Sequence, residues 1–388
     1  LRDPLIFRPI QRAATPNLCK HNQTKEEDVT AKQIIKSLRG VFNNAWKRHV
    51  DILGLMVAAA FDARVLGIAS LGRHLRSLTS PKHSIKRVNR FLGNKHFDDQ
   101  QAQEDLLRTV IGPRKRVFIA VDWTKVRQWP VLVAGVVRRG RAVPVMWQVM
   151  GEHVMYKSQN HFEHGFFTWL AQSMPDGVQA IVLLDRGFQR VDLVTRLRRC
   201  GLSFVIRTGG NVKVTHRKYT GPMQKLITRR GQQRDLADAV LKPSRPVEVR
   251  VVGLWERGQK ESWLLMTNLD DSVKDVAKFY GWRFRIEETF RDEKNHRFGL
   301  ALGDLKLRSA QRMERMLLVA ALAHFFALLV GSESRRRGYD RQFQANTVRN
   351  KPTHSDFTLG VYYLLRLRLK FAELLREFWT EPCEEFWG

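Results

Sequence analysis

The sequence predicts a mixed α/β core with a β-rich insertion inside it and a basic helical head in front of it. Three observations carry this. Apolar residues recur at helical spacing up to about residue 107. After Gly112-Pro113 the texture turns to β-branched runs followed by alternating helix and strand. Strand patterning then returns over 209–268 before a helix resumes at Ser272.

Composition bounds the class. The chain has 388 residues, 67 Lys+Arg against 38 Asp+Glu, and a formal net charge of +29. With 43% hydrophobic and 27% charged residues it fits neither a disordered basic tail nor a membrane protein, and its length suits two or three domains. So large an excess of positive charge points to a polyanionic partner: DNA, RNA or an anionic membrane surface. Cys19, Cys200 and Cys383 have no CxxC spacing, which argues against a disulfide framework or a zinc site and for a reducing compartment. The first residues lack the apolar core of a signal peptide, and the start at Leu1 leaves an earlier start open. The longest apolar run, 316–330, is shorter than the ~20 residues needed to span a bilayer and contains His324, so it reads as a buried helix.

Residues 1–30 read as a mobile polar arm. Residues 31–110 read as a helical DNA-binding domain: between Lys32 and Lys95 there are 13 Lys/Arg against two acids, Asp51 and Asp62. A solvated face on an ordinary helical domain is the rival reading. The core is expected over 113–208 and 269–332. Its strands are read at 116–124, 129–137 and 141–149, the last two joined by a hairpin at Arg138-Arg139-Gly140, then at 179–185 and 202–208. Helices are expected near 161–173 and 189–200, and the β-rich insertion over 209–268. Residues 333–388 are expected to form a helical tail, whose basic-apolar stretch 364–379 is a candidate dimer contact.

Two acids end strongly apolar strands, Asp122 after 117–121 and Asp185 after 181–184. A carboxylate there is costly unless it caps a turn, binds a metal or acts on substrate. The plainer alternative for Asp185 is a cap on the following helix. A third element is the segment 279–299, where Tyr280, Arg283, Glu287 and Lys294 sit at offsets 0, 3, 7 and 14. At about 100° per residue they fall within roughly 60° of one another, on one face of a helix. Glu288, Asp292 and Glu293 are expected to be exposed ion-pair partners. His161 and His164 have ligand-like spacing, though a surface or core role is the expected one.

Tyr280-x2-Arg283-x3-Glu287-x6-Lys294 resembles the YREK signature of DDE transposases of the insertion-sequence-four family. DWT at Asp122 and DRGF at Asp185 resemble that family's first and second acidic motifs, and the resemblance runs over about 116–331. It implies an RNase-H-like core with a β insertion between the second Asp and the Glu. It also implies a catalytic, metal-binding triad of Asp122, Asp185 and Glu287. Two Mg²⁺ ions about 3.5–4 Å apart, with Mn²⁺ able to substitute, suit an in-line phosphodiester displacement, since each stabilises one of the two reacting oxygens.

By the same resemblance Tyr280, Arg283 and Lys294 hold transposon-end phosphates, and Trp263 stacks a flipped base, with core packing as its rival. The expected function is cut-and-paste transposition by a homodimer acting on terminal inverted repeats and target DNA, without a membrane partner, in the bacterial cytoplasm at the nucleoid. A catalytically silent, end-binding repressor and an RNase-H-like nuclease without strand transfer are the alternatives. The stretch 186–230, with 12 Lys/Arg and only Asp192, is expected to face DNA.

Overall fold

The computed structural model describes residues 31–43, 45–151, 155–241, 246–296, 299–345, 347–348 and 351–364. The expected N-terminal arm and the 364–379 dimer contact, Leu364 apart, lie outside them.

Five helices come first: α1 (31–41), α2 (Lys47–Ala63), α3 (Ile68–His74), α4 (Pro81–Leu92) and α5 (Asp99–Ile111). Helix α4 starts with Pro81 in its first turn, where a missing N–H costs nothing. It buries Val88, Phe91 and Leu92 and leaves Lys82, Lys86 and Arg90 exposed. Asp98 caps α5 by accepting from Gln100 N and Gln101 N.

The core opens with a meander of β1 (Arg116–Val126), β2 (Trp129–Arg138) and β3 (Arg141–Val149), in which Arg139-Gly140 makes the second turn and Gly140 takes a positive φ of 69°. Then come α6 (Met155–Gln172), β4 (Gln179–Leu184), α7 (Val191–Arg199) and β5 (Ser203–Arg207). Five more strands follow: β6 (Lys213–His216), β7 (Tyr219–Pro222), β8 (Gln233–Leu241), β9 (Val247–Leu254) and β10 (Trp263–Thr267). The helices α8 (Val273–Trp282), α9 (Phe284–Lys294), α10 (Ala310–Arg336) and α11 (Asp356–Tyr363) complete the described chain.

All ten of these strands form one open sheet, in the order β3-β2-β1-β4-β5-β10-β9-β8-β6-β7. Strands β1, β4 and β5 run parallel, and every other pairing is antiparallel. The mixed α/β class is as expected, and the order through β5 is in keeping with an RNase-H-like core. The residues read as an insertion do not make a separate sheet: β10 pairs directly with β5, and the added strands lengthen the core sheet from that edge.

Alternation along β1 places the site. Phe118 packs on Phe279 and Trp282 of α8, and Asp122 and Thr124 share that face, whereas Trp123 turns to Phe162 of α6 on the other.

Helix α10 is the hub of the fold. Met316 to Val330 are all buried, together with His324, as expected. By length and composition α10 could cross a membrane, but its apolar surface is covered by protein. His324 stacks on Phe357 with both ring nitrogens unpartnered, and burial pushes it down to about 3, so it is neutral at physiological pH. Arg315, also on α10, has no exposed side-chain surface. It pairs with Asp99 at 2.8 Å and donates to the carbonyls of Phe91, Leu92 and Phe97, joining the head to the core.

Helices α10 and α11 approach so closely that a Cβ on Gly360 would lie 1.7 Å from the Ala327 carbonyl oxygen. Alanine gains about 1 kcal/mol in helix propensity over glycine. Gly360→Ala is nonetheless expected to destabilise by about 2–3 kcal/mol through overpacking. Chemical denaturation measures this, and an unchanged or raised midpoint contradicts the packing described.

Candidate active site

Strands β1 and β4 are parallel neighbours in the register Ala120↔Leu183. Continued two residues past that pairing, the register puts Asp122, inside β1, across from Asp185, which directly follows the carboxyl end of β4. Asp185 caps the short 3-10 turn Arg186–Phe188 by accepting from Gly187 N at 2.8 Å, as the plainer alternative has it. A Cβ at Gly187 would press within 3.1 Å of that carboxylate oxygen, which explains the glycine. Asp122 is held in the same way, accepting from Trp123 N at 2.9 Å.

The third acid arrives from α9. Arg283 is buried and bridges two carboxylates, with Nη1 3.3 Å from Asp122 Oδ2 and Nη2 donating to Glu287 Oε1. Lys294 Nζ donates to Thr124 Oγ1 at 2.6 Å, fixing the far end of α9 to β1. Arg283, Glu287 and Lys294 thus share one face, as their spacing predicts. The segment is not one uninterrupted helix, however. Arg283 is a turn residue between α8 and α9, with Arg283 N bonded to Tyr280 O and Ile286 N to Arg283 O, a tightened i→i+3 pattern.

Tyr280 sits behind Arg283, almost fully buried, and burial raises its hydroxyl pKa with Arg283 and Arg207 opposing. Trp263 packs edge-on to Tyr280 at 5.1 Å and near Phe284 at 6.3 Å. In this conformation the core-packing reading of Trp263 is the one its contacts display. Phe284 is the exposed aromatic of the group, and Arg283 lies over its ring at 4.6 Å.

Two expectations along α9 are corrected. Glu288 does form the exposed pair foreseen, with Arg291. Asp292 instead pairs with Arg141 of β3 at 2.6 Å, largely out of solvent. Glu293 is buried, and burial first and Asp292 second push it up to about 8, so it is protonated at neutral pH. His161 is exposed, and His164 lies 3.1 Å from Asp192. What sequence reasoning missed is Glu163 between them: fully buried, it accepts from Trp123 Nε1 and Gln159 Nε2 at 2.9 Å each and pairs with Arg190.

Burial pushes the Asp122 carboxyl up to about 6; Arg283 opposes, and the nearby Asp185 and Glu287 add to the rise. The Arg283 guanidinium stands where a cation suits the oxygens of Asp122 and Glu287. Three carboxylates, those of Asp122 and Asp185 half-buried and that of Glu287 exposed, are the oxygen donors a hard divalent ion takes. Among the described residues no three His, Cys, Asp or Glu side chains enclose an ion-sized space as they stand. Arg283 lies between two of the acids.

Fold and site together define a class: an α/β protein with a cluster of acids beside its parallel strands. Residues 151–326 match the family model described as a transposase DDE domain, so the chain carries the domain of a DDE transposase, an endonuclease and polynucleotidyl transferase. The matched span includes Asp185, Trp263, Tyr280, Arg283, Glu287 and Lys294, whereas Asp122 lies before it. None of the curated proteins matches the chain.

Proposed function

We propose that this chain is a cut-and-paste DNA transposase of the insertion-sequence-four type. It binds the ends of an insertion sequence and cleaves and joins DNA through Asp122, Asp185 and Glu287. The observation that carries the reading is the β1–β4 register, which sets Asp122 level with Asp185, together with Arg283 tying Asp122 to Glu287. Asp122, Asp185 and Glu287 would hold two Mg²⁺ ions, for which Mn²⁺ would substitute. Held by these residues, such ions would supply a lowered pKa for the attacking water or 3′-hydroxyl and positive charge for the leaving oxygen.

The chain's own part is electrostatic and positional. Arg283 moves from its carboxylates to an end phosphate as DNA and metal enter, and Lys294 and Tyr280 flank that phosphate. Trp263 and the exposed Phe284 offer the ring faces for an unstacked base. The exposed Lys82, Lys86 and Arg90 of α4 grip duplex DNA, and the basic stretch 186–230 also faces DNA. Two chains pair to join two ends, in the bacterial cytoplasm at the nucleoid.

The test uses end-labelled duplexes carrying candidate terminal repeats, a supercoiled target plasmid, and Mg²⁺. Cutting followed by transfer of label to the plasmid is expected. Binding without cutting favours the silent repressor, and cutting without joining favours a plain nuclease; either result sinks the transposase reading.

A further inference from the structure

We infer that Glu163 is a positioning residue that sets the two aspartates relative to one another, and through them the affinity of the metal centre. This rests on the reading of Asp122 and Asp185 as metal ligands.

Connections run from Glu163 to both aspartates. Glu163 Oε1 accepts from Trp123 Nε1 at 2.9 Å, and the backbone N–H of the same Trp123 donates to Asp122 Oδ1 at 2.9 Å. Glu163 Oε2 pairs with Arg190, whose Nη1 donates to Gly187 O at 3.0 Å, and Gly187 N donates to Asp185 Oδ1 at 2.8 Å. One carboxylate on α6 therefore reaches both acid-bearing segments, β1 through Trp123 and the turn after β4 through Arg190 and Gly187, and in each a main-chain N–H holds the acid. Trp123 is fixed further by its ring, stacked on Phe162 at 5.8 Å. Gln159, one turn before Glu163 on α6, donates to the same Oε1 and holds the carboxylate itself.

Glu163 has no exposed side-chain surface, and a carboxylate is costly to bury. Apolar replacements of buried ion pairs are commonly neutral or stabilising, so stability alone does not account for a charged group here. What an apolar residue cannot supply is a rigid two-armed bridge between the ends of β1 and β4. Partners of this kind, one step behind the ligands, typically change metal affinity or activity by about 10–100-fold when removed.

The test is Mn²⁺ binding to the full chain without DNA, followed by electron paramagnetic resonance, beside a thermal melt of each variant. Glu163→Gln keeps the shape and loses the charge. It is expected to weaken Mn²⁺ binding by about 10-fold or more while the chain remains folded at the titration temperature. Trp123→Phe and Arg190→Met each cut one arm and are expected to weaken binding less. They carry the test if Glu163→Gln does not fold. Adding Trp123→Phe to Glu163→Gln is expected to cost little more, because both act through one bridge. Wild-type Mn²⁺ affinity in folded Glu163→Gln, or in both single-arm variants, overturns the inference. Asp122→Asn separates the two readings. If it binds Mn²⁺ like wild type, the metal-ligand assignment falls and takes this inference with it. If it loses Mn²⁺ while Glu163→Gln keeps it, only the role of Glu163 falls.

Discussion

Asp122→Asn is expected to abolish strand cleavage while making the metal-free protein more stable, two effects of opposite sign from one substitution. Cleavage is expected to fall by about 10³-fold or more, roughly 4 kcal/mol of barrier at 1.36 kcal/mol per tenfold, because the acid nearest the centre of the cluster is lost. The stability effect follows from the carboxyl's pKa of about 6, raised from an ordinary 3.8 mainly by burial. A raised folded-state value means that the folded protein binds the proton more tightly than the unfolded chain does. Below about pH 4 both states are protonated and nothing is lost; as pH rises through 6 the folded state must ionise a buried acid. Asn removes that cost, so the variant is expected to gain about 1–3 kcal/mol at pH 8, and far less at pH 4, part of the gain being offset by the lost contact with Arg283. Added Mg²⁺ is expected to raise the wild-type melting point and to leave that of Asp122→Asn nearly unchanged. A variant that is less stable than wild type at pH 8, or that still cleaves, contradicts this picture of the site.

Arg315→Ala is expected to be among the most destabilising single changes in the chain. The guanidinium has no exposed surface, and its partners are Asp99 and three main-chain carbonyls from the end of α4 and the segment before α5. Burial already raises the Asp99 pKa against the pull of Arg315, so removing the arginine leaves an acid and three acceptors without their donor. Breaking a buried pair in this way costs about 3–5 kcal/mol. Urea denaturation gives the size. Hydrogen exchange gives the place, with the largest loss of protection expected in α4 and α5, where the head meets α10. A loss below about 1 kcal/mol means that the head is held by its apolar contacts alone.

Much of this molecule was legible because its chemistry is written locally. Asp122 and Asp185 stand out because each ends a run of buried β-branched and aliphatic residues, and the offsets from Arg283 to Lys294 put three side chains on one helical face. The strands of the core and the Arg139-Gly140 turn follow from patterns a few residues long. What sequence reasoning missed depends on partners far along the chain. Asp292 and Glu293 look like surface ion-pair residues beside Arg291 and Lys294, and nothing nearby announces that Arg141, 151 residues earlier, draws Asp292 inward. Arg315 stands one residue before the apolar run 316–330 and reads as its polar border; its partners are more than 200 residues away. The break between α8 and α9 falls two residues after Gly281 and coincides with the two carboxylate contacts of Arg283. Glu163 was hidden by its neighbours, since His161 and His164 drew the metal-ligand question to themselves. The joining of the strands read as an insertion to the core sheet is likewise a long-range pairing, β5 with β10, that no local pattern states.

The most direct measurement is single-turnover cleavage of an end-bearing duplex in Mg²⁺ by wild type and Glu287→Gln at matched DNA occupancy. Glu287 is exposed on α9 and tied only to Arg283 among the ion pairs described, so the substitution leaves the fold intact and isolates the chemistry. If Asp122, Asp185 and Glu287 form the catalytic centre, cleavage falls by about 10³-fold or more while DNA binding is retained. Equal cleavage rates for the two proteins contradict it.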